Sequence, residues 1–259
     1  MGELPAVLRP LAADPGHSGL CLDFDGTLSP IVADPETAFP LPGVTEVLAR
    51  LAGRFALVAI ISGRPVAFLR QVLGPPTGVR LVGLYGLEQI GPDGARTVDP
   101  AAQPWAAVIA EVVPVAQREA PPGVHVEPKG LTVTLHWRHA PEASEWVEAF
   151  AARQVAERGL RAHGSRLSVE LGPPLDIDKG TVVRSLTPGL RAVAAFGDDV
   201  GDLPAFAALG ELAAAGVAVA RVAVVDAESP PEVATGADLL VEGAPGALAL
   251  LEQLARVAG

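Results

Sequence analysis

The sequence predicts an α/β protein in which a sheet-and-helix core is interrupted by a smaller α/β insertion. Three observations carry that expectation. Apolar, β-branched runs such as Phe55–Ile61 alternate with stretches of helical spacing, the order of an α/β layer architecture. Such runs carry no polar alternation, so they read as strands covered on both faces, as in a parallel sheet. Between residues 101 and 174 the texture changes to shorter strands with polar alternation, and after 175 the first pattern resumes. The division expected is therefore 1–100 with 175–259 as core and 101–174 as an inserted small domain.

In chain order, residues 1–17 hold Pro5, Pro10 and Pro15 around short apolar stretches and read as a short helix or arm before a strand at 18–24. Pro30, Pro35, Pro40 and Pro42 make 29–42 a loop. Val44, Val47, Leu48 and Leu51 have helical spacing, Val66–Leu73 reads as a second helix, and Val79–Leu84 as a third strand. In the insertion, Trp105–Arg118 has a helical pattern with an interruption expected at Pro114. Gly123–Glu127 and Leu131–Trp137 read as strands, and Glu142–Arg158 as a long amphipathic helix. Leu160–Ala162 and Arg166–Leu171 read as strands around His163-Gly164-Ser165, with Gly172-Pro173-Pro174 as an exit hinge. The core then returns with a helix at 180–186, a strand at 192–196, a helix at 203–209 and strand material at 217–225. A short apolar stretch at 233–241 and a terminal helix at 244–257 complete it.

Composition narrows the function. The chain of 259 residues is long enough for a substantial core and a second unit, and 49% hydrophobic with 19% charged residues is the balance of a folded protein. A net charge of −11 argues against nucleic-acid binding, which needs a basic footprint. The single cysteine, Cys21, excludes an internal disulfide framework and a multi-thiolate zinc site, and reads as a small core residue. No basic region followed by an apolar segment stands at the N-terminus, and no charge-free apolar run is long enough to span a bilayer. A cytoplasmic monomer with no membrane partner is expected.

The organising stretch is Leu20-Cys21-Leu22-Asp23-Phe24-Asp25-Gly26-Thr27. Residues i and i+2 of a strand share a face, so Asp23 and Asp25 point the same way at a strand's end, where open α/β sheets bind ligands. Paired acids there can hold a hard cation, attack an electrophile or shuttle a proton. Ser62, Lys179 at a helix start, and Asp198, Asp199 and Asp202 also stand at or beyond strand candidates. Singly, each has an ordinary reading as a turn serine, a surface lysine or a solvated loop. Together, two acid clusters supply oxygens for Mg²⁺, while a hydroxyl, a lysine and helix-start N–H groups suit phosphate oxygens. The combination specifies phosphoryl transfer.

Asp23-Phe24-Asp25-Gly26-Thr27, Ser62-Gly63-Arg64, Lys179-Gly180 and Gly197-Asp198-Asp199-x-x-Asp202 resemble the four ordered motifs of the haloacid dehalogenase-like phosphatases. The resemblance covers about 18–255 and implies a Rossmann-like core with an α/β cap. It implies Asp23 as the nucleophile forming an aspartyl-phosphate and Asp25 as the acid, then base. Ser62, Gly63 and Lys179 would bind phosphoryl oxygens. Asp23, the backbone carbonyl of Asp25 and Asp198 would ligate Mg²⁺, with Asp199 or Asp202 completing the shell. Within the insertion, Glu127-Pro128-Lys129-Gly130, His136-Trp137-Arg138 and Val169-Glu170-Leu171 resemble stretches of trehalose-6-phosphate phosphatases, as does Gly83-Leu84-Tyr85-Gly86-Leu87-Glu88 in the core. That likeness implies Glu127, Lys129, Arg138 and Glu170 as ligands of a sugar phosphate, and hydrolysis of trehalose 6-phosphate to trehalose and phosphate. His136 reads as a strand-shaping residue beside Trp137. Three departures stand out: Gly172 replaces the family's usual Arg, Gly201 a common Thr, and Leu203-Pro204 common acidic residues. The alternatives are a phosphatase of glucosyl- or mannosyl-phosphoglycerate or of sucrose phosphate, or a noncatalytic sugar-phosphate-binding protein. Connections near 98–104 and 172–178 are expected to let the cap close over the core.

Overall fold

The computed structural model describes residues 3–32, 35–74, 78–165, 167–226 and 229–258. Met1 and Gly2 of the expected arm, Ala33 and Asp34 of the expected loop, and Arg166 of an expected strand lie outside them. Two units emerge: Met1–Thr97 with Ile177–Gly259, and Val98–Asp176.

In chain order the first unit opens with α1 (Arg9–Ala13), β1 (Ser18–Leu22), α2 (Val44–Ala52), β2 (Leu57–Ile61), α3 (Val66–Leu73), β3 (Arg80–Gly83), β4 (Glu88–Ile90) and β5 (Arg96–Val98). The second holds α4 (Trp105–Glu119), β6 (His125–Pro128), β7 (Val133–His136), α5 (Ser144–Arg158), β8 (Arg161–Ser165) and β9 (Ser168–Gly172). The first then resumes with α6 (Lys179–Leu186), β10 (Ala192–Gly197), α7 (Leu203–Ala214), β11 (Ala218–Val225), α8 (Pro231–Thr235), β12 (Leu239–Glu242) and α9 (Gly243–Val257).

The sheet of the first unit has the order β12-β11-β10-β1-β2-β3-β4-β5. Its strands from β12 to β3 are parallel and β4 returns antiparallel to β3. Every residue of β1 is buried, which is why its sequence shows no polar alternation. Its side chains nonetheless divide by parity. Leu20, Leu22 and Phe24 join one core layer with Val47, Leu51, Leu251 and Leu254 of α2 and α9. Cys21 joins the opposite layer with Val183 of α6 and Phe206 and Leu209 of α7. Cys21 is thus a buried core residue whose thiol burial pushes up to about 12, where it stays protonated and inert.

The second unit packs α4 and α5 on one face of an antiparallel sheet ordered β6-β7-β9-β8. Ile109, Val112, Val147 and Phe150 meet Val133, Leu135, Val169 and Leu171 there. Polar residues take the alternate positions, as one-sided burial requires.

Four local expectations need correction. Strands β4 and β5 were not foreseen: three residues each, with polar Glu88, Gln89, Arg96 and Thr97, they offer no readable period. Helix α4 runs through Pro114 without the expected interruption. Pro114 and Ala110, whose carbonyl loses its partner, both lie on the exposed face, where the carbonyl is open to solvent. His163-Gly164-Ser165 lie inside β8, and the 233–241 stretch divides into α8 and β12.

Helix α6 begins at Lys179 because Asp178 caps it. The Asp178 carboxylate accepts from the Thr181 N–H at 2.7 Å, and Thr181 Oγ1 accepts from the Asp178 N–H at 3.0 Å. Asp178→Ala is expected to destabilise the protein by about 1 kcal/mol. Urea unfolding should show a lower midpoint with an unchanged slope.

Candidate active site

The order in which strands are added reverses at β1. From β1 the chain adds β2 and β3 on one side, then returns to place β10, β11 and β12 on the other. The crevice beyond the C-terminal ends of β1 and β10 is therefore the topological switch point, the place where open α/β sheets bind ligands. Asp23 follows β1 there and Asp198 follows β10. The Asp23 N–H continues the ladder to the Phe196 carbonyl at 3.0 Å, so parity still governs its direction. Asp23 has the parity of Cys21 and faces the layer of α6 and α7. Lys179 is the first residue of α6, and Asp202 directly precedes α7.

These groups meet closely. Lys179 Nζ donates to Asp23 Oδ1 and to Asp202 Oδ1, each at 2.6 Å. Asp202 Oδ2 accepts from the backbone N–H groups of Asp198 at 3.0 Å and Asp199 at 3.3 Å. Lys179, Asp23 and Asp202 are only 5%, 7% and 2% exposed. Oxygens of Asp23, Asp198 and Asp202 all lie within 4.8 Å of one another. Gly26, at φ +76°, permits this: a Cβ there would overlap the Asp198 carboxylate. Asp199 is exposed, and its Oδ1 accepts from the Gly201 N–H at 2.8 Å, so its carboxylate caps the turn before α7 and stands outside that close group.

The charges do not balance within the protein. Burial pushes the Asp23 carboxyl well above its ordinary value; Lys179 opposes this, and Asp202 and Asp198 reinforce it. Burial likewise raises Asp198, to about 8, and Asp202. Burial alone would depress Lys179, but Asp202 and Asp23 outweigh it and hold the ammonium charged. One cation thus faces three clustered carboxylates. An all-oxygen donor set with uncompensated negative charge fits a hard divalent cation, and the residues present are suited to hold one.

Asp25 lies in a different environment. Both of its oxygens accept from Arg64, from Nε and Nη2, each at 2.8 Å. Ser62 is buried beside β3, with its N–H donating to the Val82 carbonyl and its Oγ accepting from the Arg64 N–H at 3.1 Å. Gly63 leaves room for the Tyr85 ring, which a Cβ would approach to 2.7 Å. Glu88, 2% exposed, accepts from the Val66 N–H at 2.9 Å and from Arg96, anchoring the chain just beyond this loop. Arg64 belongs to the Ser62-Gly63-Arg64 motif, whose resemblance implies no role for it. Its signal was a cation directly after Ser62-Gly63, with no acidic neighbour in sequence to occupy it.

The second unit carries its own polar face. Glu127 pairs in register with Thr134, and Thr134 with Glu170. Lys129 Nζ donates to Glu170 at 2.8 Å and lies 3.7 Å from Glu127. Thr134 Oγ1 donates to the same Glu170 oxygen at 2.9 Å. His136 Nε2 lies 2.8 Å from Glu127, so it does more than shape its strand. Arg138 is exposed in the turn after β7.

A sequence profile of the family described as trehalose-phosphatase matches residues 21–235. A trehalose-phosphate phosphatase of Mycobacterium ulcerans is 36% identical over 231 residues, covering 81% of this chain and 57% of the relative. The chain thus spans little more than half the length of that relative. Among solved structures, a trehalose-6-phosphate phosphatase related protein superposes with a TM-score of 0.78 at 21% identity, over 92% of this chain and 97% of that one. The C-terminal domain of the Candida albicans trehalose-6-phosphate phosphatase gives 0.76 at 23% identity, over 98% and 99%. These two likenesses establish the α/β fold. Among the described residues, no helix is long and apolar enough to cross a membrane.

The raised carboxyl of Asp198 sets a pH dependence. Its native value of about 8 lies above the ordinary 3.8 of an aspartate, so between those limits the native state binds more protons than the unfolded chain. Stability of the metal-free protein should therefore fall as pH rises from 5 to 8. A divalent cation should raise the melting temperature more at pH 8 than at pH 5. Differential scanning calorimetry with EDTA and with Mg²⁺ checks both signs.

Proposed function

We propose that this chain, which belongs to the trehalose-phosphatase family, hydrolyses trehalose 6-phosphate to trehalose and phosphate with the help of Mg²⁺. The observation that carries this reading is the convergence of Asp23, Lys179, Asp198 and Asp202 at the switch point of the sheet. Three segments distant in sequence, with Asp198 and Asp202 on the same loop, meet there as three carboxylates and one ammonium. A structural cluster of that kind has little to recommend it energetically, because buried charges are costly to desolvate. For a site that must receive a phosphate ester and a cation, the same charges are the required reagents.

In this reading Asp23 is the nucleophile. Its oxygen attacks phosphorus, the bond to the ester oxygen breaks, and that oxygen takes a proton from the Asp25 carboxyl. The Asp25 carboxylate then takes a proton from water, whose oxygen bonds to phosphorus as the bond to Asp23 breaks. Lys179 holds Asp23 in place and, with Ser62 and the backbone at Gly63, meets the phosphoryl oxygens. Asp23, the Asp25 carbonyl, Asp198 and Asp202 would hold Mg²⁺, with Asp199 supporting the loop. When bound, the ion neutralises the repulsion between an anionic nucleophile and an anionic ester. In the second unit, Glu127, Lys129 and Glu170 offer charge-assisted hydrogen bonds suited to the hydroxyls of a disaccharide, and Arg138 adds a free cation.

Asp23→Asn should lower turnover by roughly 10⁴-fold or more while leaving the melting profile cooperative. Near-parental hydrolysis in that variant would remove the nucleophile assignment. Phosphate release should be measured with Mg²⁺ over trehalose 6-phosphate, sucrose phosphate, and glucosyl- and mannosyl-phosphoglycerate. Trehalose 6-phosphate is expected to show the highest kcat/KM; a tenfold or greater preference for another ester reassigns the substrate, and binding without phosphate release makes the chain a sugar-phosphate-binding protein.

A further inference from the structure

Asp23 and Asp25 leave the same strand end, yet they are held by different machinery. Asp23 is bound by Lys179. The Asp25 carboxylate, about a third exposed, is gripped through both oxygens by the Arg64 guanidinium, itself 13% exposed. Fork-on-fork geometry fixes direction as well as distance, which a point charge such as lysine does not.

Arg64 is held at three points, one on its fork and two on its backbone. Its guanidinium carbon lies 4.6 Å from the centre of the Phe68 ring. Phe68 meets Phe24 edge to face at 6.0 Å, and Phe24 is the fully buried residue between the two aspartates. The Arg64 N–H donates to Ser62 Oγ at 3.1 Å, and its carbonyl accepts from the Leu84 N–H at 3.1 Å. Leu84 and Tyr85, neither a glycine, stand at φ +50° and +58°. Residues held in that region persist only where the surroundings over-determine them, and here the Tyr85 N–H is fixed by the Ser62 carbonyl at 3.0 Å. A partly exposed ion pair adds little stability, so stability alone does not account for so much support.

We propose that Arg64 is a positioning residue for the hydrolysis: from the loop that carries Ser62 it aims the Asp25 carboxyl at the ester oxygen. The inference rests on the reading of Asp25 as acid and base. Each carboxylate oxygen has two acceptor directions, and the fork occupies one on each. Asp25 can therefore address the departing oxygen while still held. Seating the phosphoryl group on Ser62 and aiming the proton donor become consequences of one loop conformation.

The test uses the full chain with Mg²⁺ and two esters, phenyl phosphate and p-nitrophenyl phosphate. Phenol is a weak acid, with pKa about 10, and its departure is helped by a proton; nitrophenolate leaves without one. Arg64→Met should lose roughly 100-fold in kcat on phenyl phosphate, the order expected for proton transfer, and far less on p-nitrophenyl phosphate. KM should stay nearly constant, and Arg64→Lys should recover only part of the loss. In an Asp25→Asn background Arg64→Met should cost nothing further, since the arginine acts through that carboxylate. Mg²⁺ affinity by calorimetry and the melting temperature should change little in Arg64→Lys. Equal losses on both esters, a rise in KM alone, or additive losses with Asp25→Asn would overturn the proposal. If Asp25→Asn is impaired and Arg64→Met is not, only the arginine's role fails. If Asp25→Asn hydrolyses phenyl phosphate at the parental rate, the acid–base reading falls and the proposal with it.

Discussion

One buried ammonium organises the core unit. Lys179 lies between Asp23 and Asp202, 2.6 Å from an oxygen of each, and all three are almost inaccessible to water. Ions in such a place must be paired and hydrogen-bonded, because desolvation of each costs several kcal/mol. The surrounding architecture meets that demand. The parity of β1 sends Asp23 toward the α6 and α7 layer, the Asp178–Thr181 capping box starts α6 at the lysine, and two backbone N–H groups take the other oxygen of Asp202. The pairing remains incomplete, with more carboxylate than ammonium, and this deficit leaves an oxygen-donor set suited to a divalent cation.

The two aspartates of the Asp23-Phe24-Asp25 turn show how neighbouring identical side chains acquire different surroundings. Asp23 is enclosed, pressed by burial toward the protonated form and rescued by Lys179. Asp25 reaches the rim, where Arg64 holds both its oxygens. Environment thus separates two carboxylates that sequence alone leaves equivalent. Phe24 between them supports both, since it fills the core below and receives the edge of Phe68, on which the arginine stacks.

The second unit applies one-sided burial to a different end. Its sheet places Val133, Leu135, Val169 and Leu171 against two helices, and the period of two then obliges Glu127, Thr134, His136 and Glu170 onto the other face. Those polar groups are already bonded to one another, with Lys129 and Thr134 sharing a single oxygen of Glu170. Preorganisation of this sort lowers the ordering cost of recognising a hydroxylated ligand.

Much of this was legible in the chain itself. Apolar runs and helical spacing determined the α/β class, the main strands and helices, and the strand-end position of Asp23, because these depend on residues within a few positions of one another. Short-range pattern failed where elements are too brief to show a period, as in β4 and β5, or where solvent excuses a local fault, as at Pro114 in α4. Which acid joins Asp23 and Asp198, and which turns away to cap Gly201, was decided only by tertiary structure. So were the grip of Arg64 on Asp25, 39 residues away, and that of Lys179 on Asp23 across 156 residues. A sequence specifies the direction a side chain takes from its own backbone; what it meets there depends on where the sheet order and helix packing bring distant segments, and no local period encodes that distance.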